Sequence, residues 1–137
     1  MTNNPNSKKA TDHLKAGQKL FDEKKYNEAI EEFKVSIKLD DDYAEAFGAQ
    51  AKAYIALGER HLALQSYADL CRCKTELTNE QKSTIYCNSS VLKFELGLIE
   101  AAKNDCLKSL EFNANNRKAQ ANLVQYHTAL KEYSQAK

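Results

Sequence analysis

Three histidines and four cysteines have the widest chemical reach in this sequence. His13, His61 and His127 could act as general bases or metal ligands, and Cys71, Cys73, Cys87 and Cys106 as nucleophiles, metal ligands or redox groups. Their spacing argues against each use. Cys71 and Cys73, two residues apart on a helix, diverge by roughly 200° and cannot chelate one ion together. The histidines fall at three different places in the helical pattern: early on a first helix, at the start of a second, and mid-way along the last, where His127 takes the position of a core aromatic. Cys106 also stands where a core aromatic would and reads as a small buried hydrophobe. A glycine-rich phosphate loop, a nucleophile elbow and a paired metal motif are all missing. The sequence therefore predicts no enzyme, no metal and no cofactor.

The elements that carry these side chains must be helices. The chain has 137 residues, 42% of them hydrophobic and 28% charged, with one Pro and four Gly, too few turn formers for a small sandwich or barrel. Twenty basic and 19 acidic residues give a net charge of +1, which offers no broad basic surface and predicts no nucleic-acid partner. No apolar run approaches the roughly 18 residues of a spanning helix, so no membrane insertion is expected. The Asn-rich stretch from Met1 to Lys9 lacks the apolar core of a signal peptide and predicts a disordered leader over 1–9, a cytoplasmic location and reduced thiols. Lys8 with Lys9 and Lys24 with Lys25 read as solvated surface.

Internal similarity sets the architecture. Alanines at Ala29, Ala63, Ala102 and Ala136 are spaced 34, 39 and 34 apart, and the first three are followed four residues later by Phe33, Tyr67 and Cys106. Apolar residues recur around them at helical spacing: Leu20, Ile30 and Ile37 in one unit, and Phe47, Ala51, Tyr54, Leu57 and Leu64 in the next. The period is two helices long. These residues resemble the tetratricopeptide repeat, a 34-residue helix-turn-helix. Residues 10–43 fit with Gly17, Ala29, Phe33 and Ser36, but have His13 at the position of the family's Trp. Residues 44–77 fit with Phe47, Ala51, Tyr54, Ala63 and Tyr67. Residues 83–116 fit with Tyr86, Ser90, Ala102 and Ser109, but have Lys93 at the Tyr position. None has the terminal Pro. The resemblance implies an all-α, right-handed superhelical array of three repeats, with 117–137 as a capping helix or partial fourth repeat.

Helix ends read in phase with the repeats. Asp41 or Asp42 is expected to cap the helix that opens the second repeat, Asn27 the second helix of the first, and Asn115 or Asn116 the last helix. Gly58 and Gly97 suit left-handed stops. The five extra residues from Thr78 to Lys82 start with a Thr-x-x-Gln capping box, Thr78 with Gln81, and are expected to lengthen the next helix by a turn. On the last helix Leu123, Val124 and Leu130 form the expected apolar side, with Tyr126 and Tyr133 on the other. That imperfect cover predicts either a chain that continues past Lys137 or an end that meets another molecule, self-association included.

The resemblance also implies a function. In the family, first helices line a concave groove that holds an extended peptide or a partner helix. The matching positions here include Lys15 and Gln18, then Lys52, then Asn88 and Val91, then Lys118, Asn122 and Gln125. Asn and Gln side chains can each donate to and accept from a peptide backbone, although a merely solvated face would have the same composition. Chaperone adaptors of the family grip the C-terminal carboxylates of heat-shock chaperones with Lys, Asn, Asn, Lys and Arg. Carried onto the first three units, those positions hold Leu14, Gln18, Ala49, Thr84 and Asn88, with no positive charge. Shifted by one repeat they hold Gly48, Lys52, Asn88, Lys118 and Asn122, where the central Asn and one Lys match. The expected function is a non-catalytic adaptor or scaffold that binds a protein or peptide. A heat-shock chaperone tail is one possible ligand, and a structural subunit joined through the last helix is the alternative.

Overall fold

The computed structural model describes residues 5–135, which form seven α-helices and no strand: α1 (Ser7–Asp22), α2 (Tyr26–Leu39), α3 (Ala44–Ala56), α4 (Arg60–Arg72), α5 (Asn79–Glu95), α6 (Ile99–Phe112) and α7 (Arg117–Gln135). They belong to two compact units, Met1–Thr75 with α1 to α4 and Glu76–Lys137 with α5 to α7. Helix α1 begins at Ser7, so Ser7 to Lys9 of the expected leader are helical, and the first turn is tied down by the Thr11 hydroxyl donating to the Ser7 carbonyl at 2.9 Å. Pro5 and Asn6 form a turn that leads into α1, and the remainder of that expectation, at Met1 to Asn4, lies outside the described residues, as does Ala136.

In the first unit the expected pattern positions meet in one core. Leu14 of α1 packs with Ala29, Ile30 and Phe33 of α2 and with Ala46 and Ala53 of α3, flanked by Leu20, Phe21, Ile37, Tyr43, Ala49 and Tyr54. The second unit closes over a smaller core of Cys87, Ala102, Cys106, Ala119 and Tyr126, backed by Phe94, Leu110 and Leu123. Ala29, Ala63 and Ala102 are wholly buried, because only a methyl group fits where a second helix crosses a neighbour this closely. Buried hydroxyls are satisfied in parallel fashion. Ser36 donates to the Ala10 carbonyl in the first unit and Ser109 to the Ser83 carbonyl in the second, both at 2.7 Å.

The turns inside the repeats share one geometry. At each, the N–H two residues past the C-cap bonds back to the third-last helical carbonyl: Lys25 to Leu20, Glu59 to Tyr54, and Leu98 to Lys93, all at 2.9 Å. The residue before it is left-handed: Gly58 at φ 77°, Gly97 at φ 83°, and Lys24 at φ 64°. The two glycines fulfil their expected role, and Lys24 takes the same conformation against the steric preference of a side chain. Lys24→Gly is expected to stabilise the protein by about 0.5–1 kcal/mol, and Gly58→Ala, with nothing within 4 Å of an added Cβ, to cost about 1 kcal/mol through backbone conformation alone. Urea melts of the two variants check both signs.

This turn also corrects the Asn27 expectation. The chain leaves the left-handed residue straight into the next helix, so Lys25 is the N-cap, without a side-chain cap, and Asn27 lies inside α2. Asp41 and Asp42 do not cap α3 either, because the cap falls one residue later, on Tyr43. Asp42 instead accepts the Lys74 N–H at 2.7 Å, while its own N–H donates to Asp40 Oδ1 at 3.2 Å. The second unit repeats that turn, with the Asn115 N–H donating to Asn113 Oδ1 at 3.1 Å. There the cap position holds Asn116, whose Oδ1 accepts the Ala119 N–H at 3.0 Å. The Thr78–Gln81 capping box is formed in both directions, and Asn79 to Lys82 make the first turn of α5.

Candidate functional site

Lys15 and Gln18 lie exposed on α1, and Lys52 exposed on α3, all in the first unit. Asn88 and Val91 lie half-buried on α5, with Lys118, Asn122 and Gln125 on α7, in the second. Within that second unit the structure brings α7 side chains onto α5. Asn122 Nδ2 donates to Cys87 Sγ at 3.7 Å, beside Asn88 in sequence. Burial raises the Cys87 thiol above its ordinary value, while the Lys118 ammonium and the Asn122 bond pull it back. Lys118 and Asn122 of α7 therefore form a polar strip beside Cys87 of α5, and Asn88 follows Cys87 in that helix, about 100° round it. Its chemistry suits an extended chain: an ammonium for a carboxylate, and amides that donate and accept.

Cys87, which the sequence offers as a nucleophile, metal ligand or redox group, is instead buried beneath this strip, 2% exposed. Directly behind it the strip is braced. Ser90 donates to the Cys87 carbonyl at 2.6 Å, which leaves its oxygen to accept from the Tyr126 hydroxyl at 3.1 Å, and Tyr126 stacks on Phe94 with ring centroids 4.9 Å apart. Burial raises the Tyr126 phenol, with the Ser90 bond opposing.

The positions of Tyr126 and His127 correct the expected phase of α7. Tyr126 is the buried aromatic, 1% exposed, and His127 is exposed, while Val124, expected on the apolar side, is 68% exposed. One residue is about 100° of helix rotation, and the face that meets α6 is set by Ala119, Leu123 and Tyr126.

The remaining candidate side chains have structural partners of their own or lie at the surface. His13 Nδ1 lies 2.7 Å from Glu32 Oε2, joining α1 to α2, and His61 is exposed at the start of α4. Cys106 is fully buried, its thiol pushed up to about 11 by desolvation first and then by Cys87 and Asp105, and its Sγ donates to the Ala119 carbonyl. Lys93, at the family's Tyr position, pairs with Asp105 at 2.7 Å across α5 and α6. Among the described residues no three His, Cys, Asp or Glu side chains are grouped to hold a metal ion, and no helix is long and apolar enough to cross a membrane.

No family model and no curated protein matches the sequence. Solved structures do match the fold. The first TPR of Spaghetti (RPAP3), bound to the HSP90 peptide SRMEEVD, is 26% identical over 91% of this chain and 95% of its own, with a TM-score of 0.80. The second TPR domain of human RPAP3, in complex with the HSP70 peptide SGPTIEEVD, is 22% identical over 86% of this chain and 94% of its own, with a TM-score of 0.75. The Yersinia enterocolitica type III secretion chaperone SycD, in complex with a peptide of the translocator YopD, is 17% identical over 93% of this chain and 96% of its own, with a TM-score of 0.76.

Proposed function

We infer, from the tetratricopeptide-repeat fold that this chain has, that it is a non-catalytic protein-interaction module which takes an extended peptide on its first helices. The observation that carries this reading is the meeting of Lys118 and Asn122 on α7 with α5 at Cys87, next to Asn88 in sequence, supported by the peptides in the similar structures. Each unit has its own expected peptide-facing positions: Lys15, Gln18 and Lys52 in the first, and Asn88, Val91, Lys118, Asn122 and Gln125 in the second. The same reading places the protein in the cytoplasm, where the four unbridged thiols stay reduced.

The ligand chemistry that the strip favours is an acidic C-terminus, since Lys118 supplies a charged donor and Asn88 and Asn122 supply amides. With Gly48 and Asn122 where the chaperone adaptors have a Lys and the Arg, the bidentate contact is missing, so the grip is weaker than theirs. Calorimetric titration with SRMEEVD and SGPTIEEVD, against the same peptides ending in a carboxamide, tests this. Free-acid peptides are expected to bind better, and Lys118→Ala with Asn88→Ala to weaken them at least about tenfold, the loss of one charged and one neutral hydrogen bond. Equal binding by wild type and double variant would remove the carboxylate reading.

A second reading, association through α7, rests on Val124 and Tyr133, 68% and 59% exposed on that helix. Sedimentation equilibrium decides it: a single monomeric species at high concentration excludes it.

A further inference from the structure

The second unit carries a cationic and aromatic array that the peptide strip does not use. Lys82 and Tyr86 stand one turn apart on α5, and Lys108 and Phe112 one turn apart on α6. The antiparallel pair crosses them. Lys82 Nζ lies 5.3 Å from the centre of the Phe112 ring, Lys108 Nζ 5.4 Å from that of Tyr86, and the two rings stack 5.7 Å apart at 13°. The result is a two-by-two array with cations on one diagonal and rings on the other. Tyr86 and Asn88, two residues apart on α5, point roughly 200° from each other, so this array and the strip occupy different faces of the helix.

Among the described residues neither ammonium has an ion-pair partner: of the acids closest in sequence, Asp105 pairs with Lys93, and Glu80 and Glu111 do not pair with them. Each ammonium rests over a ring, a weak attraction at an exposed site that biases its position. An incoming anion therefore meets charges already biased toward one place, which lowers part of the side-chain entropy cost that makes exposed pairs weak. Each ring has the other ring against one face and a lysine ammonium over it, and a net charge of +1 gives no wider field for a phosphate backbone.

We propose that Lys82, Tyr86, Lys108 and Phe112 form a docking site for an acidic segment of a partner protein, with side-chain carboxylates on the two ammonium groups and the stems of the acids against the ring edges. The site is independent of the peptide strip and recognises internal acidic sequence, where the strip recognises a terminus.

The test is an NMR titration of the isotope-labelled full chain with a short oligoglutamate blocked at both ends, which has no free C-terminus for the strip. Amide shifts are expected at Lys82, Tyr86, Lys108 and Phe112, and the affinity should fall as salt is raised. Lys82→Gln with Lys108→Gln should weaken binding about tenfold, two exposed pairs' worth. Lys82→Arg with Lys108→Arg, which keeps charge and ring contact, should stay within about twofold of wild type. Lys108→Gln alone, at an exposed position, gives the same direction should the double variant unfold. Shifts confined to Asn88, Lys118 and Asn122, unchanged affinity in the Gln variants, or a stronger response at the array to oligouridylate than to oligoglutamate would each overturn the proposal.

Discussion

Tyr126→Ala is expected to cost about 3–5 kcal/mol and to unfold the second unit at temperatures where the first remains helical. Tyr126 is the largest fully buried side chain among the described residues. Its ring stacks on Phe94, its neighbours Cys87, Cys106 and Ala119 are small, and its hydroxyl is bonded to Ser90. None of those neighbours can grow into the void, so the cavity stays open and the cost sits at the high end for an aromatic truncation. A unit of three helices has little stability in reserve. Tyr126→Phe keeps the ring and loses one bond, while Ser90 retains its bond to the Cys87 carbonyl, so a cost of about 1 kcal/mol is expected. Far-UV circular dichroism melts of the two variants separate the contributions. Similar losses for both would show that the hydroxyl, and not ring packing, holds α7 in place.

Gly17→Ala is expected to destabilise by about 1–2 kcal/mol, although Ala is the better helix former by about 1 kcal/mol. A Cβ on Gly17 would stand 2.6 Å from Phe33 Cδ1, inside van der Waals contact, and the Phe33 ring is itself buried against α1 and α3 with no space to retreat. Overpacking then outweighs propensity. The same repeat position holds Ala51 and Ser90, and sixteen residues later, where the first repeat has Phe33, the others have Tyr67 and Cys106. In a Phe33→Leu background the added methyl has room, and Gly17→Ala should become neutral or stabilising by up to about 1 kcal/mol. Additive losses in that double-mutant cycle would refute steric coupling between the two positions.

The repeat was legible because its physics is local and periodic. Ala29, Ala63 and Ala102 recur where helices cross closely, Gly58 and Gly97 where the backbone turns left-handed, and Thr78 with Gln81 where a helix needs its first N–H groups satisfied. Each of these residues acts within a few positions of itself, and such constraints are written in sequence. The face that α7 buries was not so written. Tyr126 next to His127 offers two aromatic rings about 100° apart, of which only packing against Cys106, Ala119 and Leu123 selects one. Asn27 and Asp42 have the right chemistry for caps and the wrong register by a residue or two, since the turns leave no extended residue where they stand.

Much of the candidate strip was available as well. Asn88, Lys118 and Asn122 follow from repeat phase alone, whereas the meeting of Asn122 with Cys87 depends on how α7 crosses α5. The sequence by itself determined that this protein is a set of helix pairs with a polar first-helix face, because amphipathic period and turn chemistry are properties of short stretches. Only the tertiary structure decided that Tyr126 is the keystone of the second unit and that Lys82, Tyr86, Lys108 and Phe112 form one array. Those residues are brought together from two helices by antiparallel packing, and the register of that packing comes from the summed fit of the whole interface.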